Sequence, residues 1–385
     1  MSRELIAHNA DLQKLQNEGY ELEIINAYLI MHHIPYIGPD MTVKYGMLAA
    51  PLDLSGTQLL RPQTHVISFS GEYPLYSDGK EITALRNEST VHKIGESTFH
   101  FRFSNKPTDG YPDYYAKFTR YVEIISEPAM VLDPTVTAKT FKPIVWNEDT
   151  IFCYEDTNSS RAGVSHFSKK LNSQKVAIIG MGGTGSYILD LIAKSAVQEI
   201  HLFDGDIFCQ HNAFRSPGAA TIGELNLHPK KSDYFMNKYS AMRKGIFSHS
   251  EFLSEENITS LDNMDFVFIA IDSGSARKML CNYLDSKGIS YIDSGISVLT
   301  CGESLLGTVR ATRSTKELKH IKRLYFSDSG DDIYSSNIQI AELNSLAAIF
   351  SVLKWKQQFG FYQDLKQYYN SVYDTNDGEI KNEAI

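Results

Sequence analysis

Glycines, carboxylates and cations suited to binding phosphate gather between positions 180 and 277. The stretch "GMGGTGS" places Gly180, Gly182, Gly183 and Gly185 directly after the apolar run "KVAII" and ahead of a helical pattern. In that setting G-x-G-x-x-G supplies a tight turn, close approach of backbone to phosphate, and close helix packing. The helix that follows offers free N–H groups and the positive end of its dipole to an anion. Asp204 ends the next strand, 19 residues after Gly185, where it can accept hydrogen bonds from ribose hydroxyls. A dinucleotide and a triphosphate fit this much equally well.

The following polar residues separate the two. "DGDIFCQHNAFR" adds Asp206, Asn212 and Arg215, "HPKKSDYF" adds Lys230 and Lys231, and "AIDSGSARK" adds Asp272 and Arg277. In a doubly wound sheet the carboxyl ends of the strands share one edge, so these side chains converge above Gly182. The glycine turn alone handles the two phosphates of a dinucleotide. An additional Arg, Lys and strand-end Asp suit a triphosphate, with cations balancing the β- and γ-phosphates and a carboxylate holding Mg²⁺. Taken singly, each has an ordinary reading. Lys230, Lys231 and Arg277 would be solvated helix charges, Asp206 a turn former, and Asp272 a helix N-cap. Convergence carries the inference.

Strand and helix patterns alternate through this region. "KVAIIG", "EIHLFDGD", "MDFVFIAID" and "SYIDSG" read as strands. "GSYILDLIAKSAV", with Ile188, Leu191 and Ile192 inward, "KKSDYFMNKYSAMRKG" and "SARKMLCNYLDSKG" read as helices. This is the pattern of a Rossmann-like, doubly wound, mostly parallel sheet with right-handed crossovers, an α/β fold. "ESLLGTVRATR" breaks the alternation and adds an antiparallel strand. "SNIQIAELNSLAAIFSVLKWKQQFG" is a long helix, apolar nearly all round, buried on several sides or against a second subunit.

A length of 385 residues sets an expectation of two domains. Residues 1–148 form an additional N-terminal α+β domain, a candidate substrate- or partner-docking module or a dimerisation module, and residues 149–385 the nucleotide-binding one. In the first, "LQKLQNEGYELEIINAYLIMHHIPY" reads as helical, interrupted at Gly19 and ended near Pro35. "THVISFSGEYP" and "TFHFRFS" read as strands and "YYAKFTRYVEIIS" as a helix with one buried stripe. His32 and His33 lack an accompanying carboxylate or cysteine cluster and read as boundary residues rather than metal ligands.

The formal net charge of −9 speaks against a general nucleic-acid binder. No stretch approaches the roughly 20 apolar residues of a membrane-spanning helix, and the charged start has no signal-peptide core. Cys153, Cys209, Cys281 and Cys301 are scattered with no CxxC, so no zinc is expected and a reducing cytoplasm fits. Residues 1–148 hold no cysteine and cannot supply a thioester nucleophile.

From about residue 158 to 358 the chain resembles the ATP-dependent adenylation domain shared by ThiF/MoeB proteins and ubiquitin-activating E1 enzymes. "GMGGTGS" matches that family's G-x-G-G-x-G-S form, "DGDIFCQHNAFR" its D-x-D then N-x-x-R, and "DSGSAR" its D-x-x-x-x-R, with Ser294–Gly295 at the next strand. The resemblance implies that Asp204 holds the ribose, that Asn212 and Arg215 contact phosphates, that Lys231 stabilises the triphosphate, and that Asp272 binds Mg²⁺. Arg161, in "NSSRAG", resembles the family's arginine finger, often supplied by the neighbouring subunit of a homodimer. The implied reaction is adenylation, from ATP, of the C-terminal carboxylate of a ubiquitin-like protein or peptide ending in glycine, with a downstream carrier as a further partner. The crossover segment where an E1-type thioester cysteine would sit has none. Cys209, near the expected phosphates, is the better reactive candidate, and Cys301 reads as a packed small residue. Arg313, Lys316, Lys319, Lys322 and Arg323 read as a solvated loop or a guide for a peptide tail. The competing readings are an NAD-dependent oxidoreductase, which leaves the cations and Asp272 unexplained, and a catalytically silent binding scaffold.

Overall fold

The computed structural model describes residues 2–56, 58–144, 150–154, 156–162, 164–318 and 338–384. The chain divides into two units, Met1–Asn147 with Glu155–Gly163, and Glu148–Tyr154 with Val164–Ile385. Lys319, Lys322 and Arg323 lie outside the described residues.

The first unit runs α1 (Ser2–His8), α2 (Ala10–Asn17), β1 (Leu22–Ile25), β2 (Tyr28–Ile37), β3 (Val43–Pro51), β4 (Leu54–Ser55), β5 (Gln58–Leu59), β6 (Val66–Ser70), β7 (Arg86–Ile94), β8 (Ser97–Ser104), α3 (Tyr114–Leu132) and α4 (Thr157–Arg161). Its six-stranded sheet has the order β1-β2-β3-β6-β8-β7, antiparallel throughout. The apolar stripes of α2 and α3 cover one face, with Leu12, Leu15, Phe118 and Tyr121 fully buried against Leu48, Phe69 and Phe103. Asp113 caps α3, its carboxylate accepting from the Ala116 N–H at 2.7 Å.

The helical expectation for the segment after Gly19 is wrong. Only Ala10–Asn17 is helical, and the remainder is the β1–β2 hairpin. Asn26 and Ala27 both take positive φ (49° and 60°), the pair of left-handed residues that a two-residue primed turn requires. The run "YLIMHHIPYI" has a bulge between Met31 and Ile34, with His33 at φ 61°. That irregularity shifts which residues face inward and mimics a helical period.

The second unit runs α5 (Ser165–Ser168), β9 (Lys175–Ile179), α6 (Gly183–Ala193), β10 (Glu199–Phe203), α7 (Gln210–Ala213), α8 (Ile222–Asn226), α9 (Lys231–Ser240), β11 (Ile246–His249), β12 (Phe266–Ile269), α10 (Gly274–Lys287), β13 (Ser290–Cys301), β14 (Ser304–Ser314), α11 (Ala341–Gln358), β15 (Tyr368–Asp374) and β16 (Ile380–Ala384). The eight-stranded sheet is ordered β11-β10-β9-β12-β13-β14-β15-β16. From β11 to β13 it is parallel, and from β13 onward antiparallel. The chain therefore reverses direction of travel between β9 and β12, the switch point at which ligands bind in such sheets.

Both faces of the parallel half are covered, which is why its strands are continuous apolar runs rather than alternating ones. Val176 and Ile178 of β9 point into a core with Ile188, Ile192, Phe235 and Trp355 of α6, α9 and α11. Ala177 and Ile179 point the other way, against Leu280 and Leu284 of α10. Trp355 is fully buried, and its removal to Ala would cost about 3–5 kcal/mol.

Three further expectations change. Arg313 lies in β14, 6% exposed, with Asp364 Oδ2 3.3 Å away, so it is a buried ion pair rather than part of a solvated loop. Cys301 is exposed at the β13–β14 turn, not packed. In α6, full burial falls on Leu189 together with Ile188 and Ile192, while Leu191 packs against the same core only partly buried. Among the described residues, no helix is long and apolar enough to cross a membrane.

Candidate functional site

A cleft of about 400 Å³ opens at the carboxyl ends of β9 and β12, the reversal point of the sheet. Its floor is the glycine turn. Gly180 has φ +88°, and a Cβ there would meet the Ala270 carbonyl oxygen at 2.5 Å, so only glycine serves. A Cβ on Gly185 would lie 1.8 Å from the Gly180 oxygen, so this glycine closes the turn against its helix rather than touching the cleft. Gly182 and Gly183 line the cleft, and the space beside Gly182 is open.

Asp204, just beyond β10, anchors the far side of the turn. Its Oδ2 accepts from the Met181 N–H at 2.7 Å and its Oδ1 from the Asp206 N–H at 2.8 Å. Each oxygen keeps a second lone pair for a ligand hydroxyl. Burial pushes the Asp204 carboxyl above the ordinary carboxylate value, opposed by nearby Lys231 and by these backbone donors. Lys231 opens α9 and is 8% exposed, its Nζ 2.7 Å from Asp206 Oδ2 and 4.0 Å from Asp204 Oδ2. Its placement comes from the backbone, where the Lys231 N–H donates to the Asp206 carbonyl at 2.9 Å. Lys230 does not line the cleft, and its ammonium donates to the Gly205 carbonyl instead.

Arg215 and Asp272 face the same space from different loops. Burial lowers the Arg215 guanidinium from its usual value, with the Asp272 charge acting against this, and its Nε has no hydrogen-bond partner among the described residues. Asp272 is not the N-cap of α10. Ser273 is, its hydroxyl accepting from the Ala276 N–H at 3.3 Å, which leaves Asp272 at the strand end. Arg277 also lines the cleft and is held by fully buried Asp293, with Nε 3.0 Å from Oδ1. The guanidinium of Arg310 on β14 pairs with the other oxygen of that carboxylate.

Asn212 and Cys209 lie outside the cleft lining. Asn212 is 2% exposed, and its Oδ1 accepts from the Cys209 N–H at 2.9 Å, shaping the loop that carries Arg215. Arg161 ends α4 in the first unit, and its side chain is outside the described residues. The sequence reading missed Glu251 and Phe252, which enter from the loop after β11, and Asn344 from α11. Phe252 is 66% exposed with its ring against Gly205, where a Cβ would come within 2.8 Å. No spacing rule ties these positions to the glycine turn. Among the described residues no cluster of three or more metal-ligating side chains occurs. Were a phosphate ligand in the cleft, the one carboxylate of Asp272 would match the way Mg²⁺ is usually held, by one or two carboxylates plus substrate phosphates.

Residues 10–157 match a domain of unknown function (DUF6791), and residues 157–320 match the ThiF family. Among curated proteins the chain is similar to the tRNA threonylcarbamoyladenosine dehydratase of Haemophilus influenzae, 28% identical over 132 residues, covering 33% of this chain and 49% of that protein. It is similar to ubiquitin-like modifier-activating enzyme 5 of Culex quinquefasciatus, 23% identical over 150 residues, covering 36% and 37% respectively. The chain thus spans about half or less of the length of these relatives. Among solved structures, the crystal structure of PaaA aligns over 57% of this chain and 75% of its own, with 19% identity and a TM-score of 0.46. E. coli MccB with ATP aligns over 60% and 72%, with 16% identity and a TM-score of 0.45. The strand order, the glycine turn and the family match agree: residues 157–320 form a ThiF family domain.

Proposed function

We propose that the cleft binds ATP and that the protein activates a carboxylate as an acyl adenylate. The observation that carries this reading is the convergence of the glycine turn, Asp204, Arg215, Lys231 and Asp272 on one cleft at the sheet's reversal point. In the step, a carboxylate oxygen attacks the α-phosphorus, the bond to the bridging oxygen of the β-phosphate breaks, and pyrophosphate leaves with its electrons. A C-terminal carboxylate, with a pKa of about 3.5, is already ionised at neutral pH, so no general base is needed. The chain must instead place the reactants in line and offset the charge growing on the leaving pyrophosphate.

Asp204 would accept from the ribose hydroxyls, and the backbone of Gly182–Gly183 would receive phosphate oxygens. Arg215 and Lys231 would neutralise the departing phosphates, with Asn212 shaping the Arg215 loop. Asp272 fits Mg²⁺, which when bound neutralises phosphate charge. The acceptor is a ubiquitin-like protein or peptide with a C-terminal glycine, as the modifier-activating relatives suggest, with residues 1–148 as a substrate or carrier docking module. The active form is a homodimer in which Arg161 reaches the partner's cleft. Of the cysteines, Cys281 is fully buried with its thiol pushed up to about 12, chiefly by burial, so it is no thioester nucleophile. Cys209 is half-exposed and the better candidate for any later transfer. The similarity to a dehydratase named for a modified tRNA nucleoside favours a second reading, in which that kind of group is activated, although the net charge of −9 opposes it.

The test is calorimetric titration with ATP·Mg²⁺ and with NAD, followed by ATP–pyrophosphate exchange with glycine-ended peptides or tRNA as acceptor. ATP is expected to bind more tightly and exchange to depend on the peptide. Tighter NAD binding would sink the adenylation reading, and dependence on tRNA would select the second.

A further inference from the structure

One wall of the cleft carries a donor besides Arg215, Lys231 and the glycine turn. Asn344 lies in the first turn of α11, 1% exposed, and lines the cleft beside the glycine turn. Its amide is so close to Gly183 that a Cβ there would meet Nδ2 at 2.2 Å. Oδ1 accepts from the Thr184 hydroxyl at 2.9 Å, which fixes the amide against the N-terminus of α6. Nδ2 has no hydrogen-bond partner among the described residues. A buried amide N–H left unpaired forfeits its hydration with nothing in return, and an acceptor on a ligand in the cleft would restore what it lost.

The ligand's chemistry follows from what surrounds that nitrogen. The first N–H groups of α6, an eleven-residue helix, lack intrahelical acceptors and carry the positive end of its dipole. Donors without acceptors select an anion. Which anion follows from Asp204, whose carboxylate accepts from the Met181 N–H. A ribose held there puts the 5′-phosphate at the next stretch of turn, Gly182–Gly183. Resting on the adenylation reading, we propose that Asn344 Nδ2 donates to a non-bridging oxygen of the nucleotide's α-phosphate. Helix α11 thereby completes with a side chain a phosphate cradle otherwise built of backbone. Gly183 is glycine because this amide occupies the place of its Cβ.

The experiment measures affinities for adenosine, AMP and ATP in wild-type protein, N344D and T184V. N344D is isosteric and removes the donor whichever way the amide is turned, while T184V removes only the orienting hydroxyl. N344D is expected to bind adenosine as the wild type does and AMP about 10- to 100-fold more weakly, the loss of a charge-assisted hydrogen bond made worse by a like charge. T184V should change AMP affinity by about 3-fold or less. N344S, which shortens the donor, should fall between and serves if N344D does not fold. An unchanged AMP-to-adenosine ratio in N344D overturns the proposal, as does a parallel loss of both ligands, which would mark a structural role. Wild-type protein that binds none of the three overturns the adenylation reading itself, and this proposal with it.

Discussion

Two buried lysines, one in each unit, show what burial does and does not signify. Lys117 on α3 is fully buried within the aromatic core of the first unit, and its ammonium donates to the Thr64 carbonyl at 2.9 Å. Desolvation lowers its pKa to about 8, with the Asp53 charge only partly opposing. Lys231 is 8% exposed but sits between the carboxylates of Asp204 and Asp206, on a cleft whose neighbouring donors, Arg215 Nε and Asn344 Nδ2, have no partner among the described residues. A buried amine sealed by one backbone carbonyl belongs to the packing. A buried amine shared by two carboxylates, beside open donors, is an arrangement that a ligand would complete. Burial is common to both, and the unanswered neighbours make the difference.

The strongest way to test that contrast is at the cleft's strand-end carboxylate. Asp272→Ala should lower ATP–pyrophosphate exchange about 10²-fold or more with the fold intact, since Ser273 caps the helix. Near-normal exchange would remove Asp272 from the chemistry. Mixing this variant with Arg161→Ala should restore part of the activity if the proposed dimer forms, since a mixed dimer would hold one site with both residues intact, and no recovery on subunit exchange would refute an arginine acting across the interface.

Replacement of the two lysines comes next. Lys231→Met should weaken ATP binding about 10- to 100-fold, the loss of charge-assisted contacts to the phosphates. Lys117→Met should leave both ATP affinity and exchange as they are. Titration of the two variants decides it, and loss of exchange in Lys117→Met would break the comparison outright.

The smallest effect is a pH slope. With its folded pKa near 8, below the ordinary 10.5, Lys117 is deprotonated more readily in the folded state. Between those values the unfolded chain binds more protons, so stability rises with pH from about 8 to 10.5 and is lost as pH falls through that window. Lys354 on α11, its ammonium 2.9 Å from the Tyr368 carbonyl and its pKa also lowered to about 8 by burial, contributes the same sign in the second unit. Lys117→Met should flatten the slope for the first unit alone, read from denaturant melts at pH 8 and 10. An unchanged slope would mean that Lys117 is charged when buried.

Much of the second unit could be read in advance because parallel strands covered on both faces are uninterrupted apolar runs, and "KVAII" and "FVFI" announce themselves. The glycine turn and the residues after it were legible for the same reason, since a sheet reversal gathers strand ends in known order. The β1–β2 hairpin was not, because a bulge at His32–His33 replaces strict alternation with a spacing that resembles a helix. Strands β15 and β16 escaped notice because only the interior of "YYNSVYD" is buried and "IKNEA" is almost entirely exposed. Asn344 left no signal at all. A single asparagine in an apolar helix is unremarkable in sequence, and 160 residues separate it from the Thr184 hydroxyl it accepts from.

The order of the second sheet also sets a gradient of kinetic protection. Strands β9 and β12, whose ends form the floor of the cleft, lie inside the sheet with paired neighbours on both sides and burial on both faces, whereas β16 forms an outer edge that is largely exposed. Amide protons of Val176–Ile179 and Val267–Ile269 should therefore exchange with solvent only on global opening of the unit, and those of Ile380–Ala384 through local fraying. The glycine turn is thus tethered to the slowest-opening backbone of the unit, and the exposed edge can open and close without releasing it.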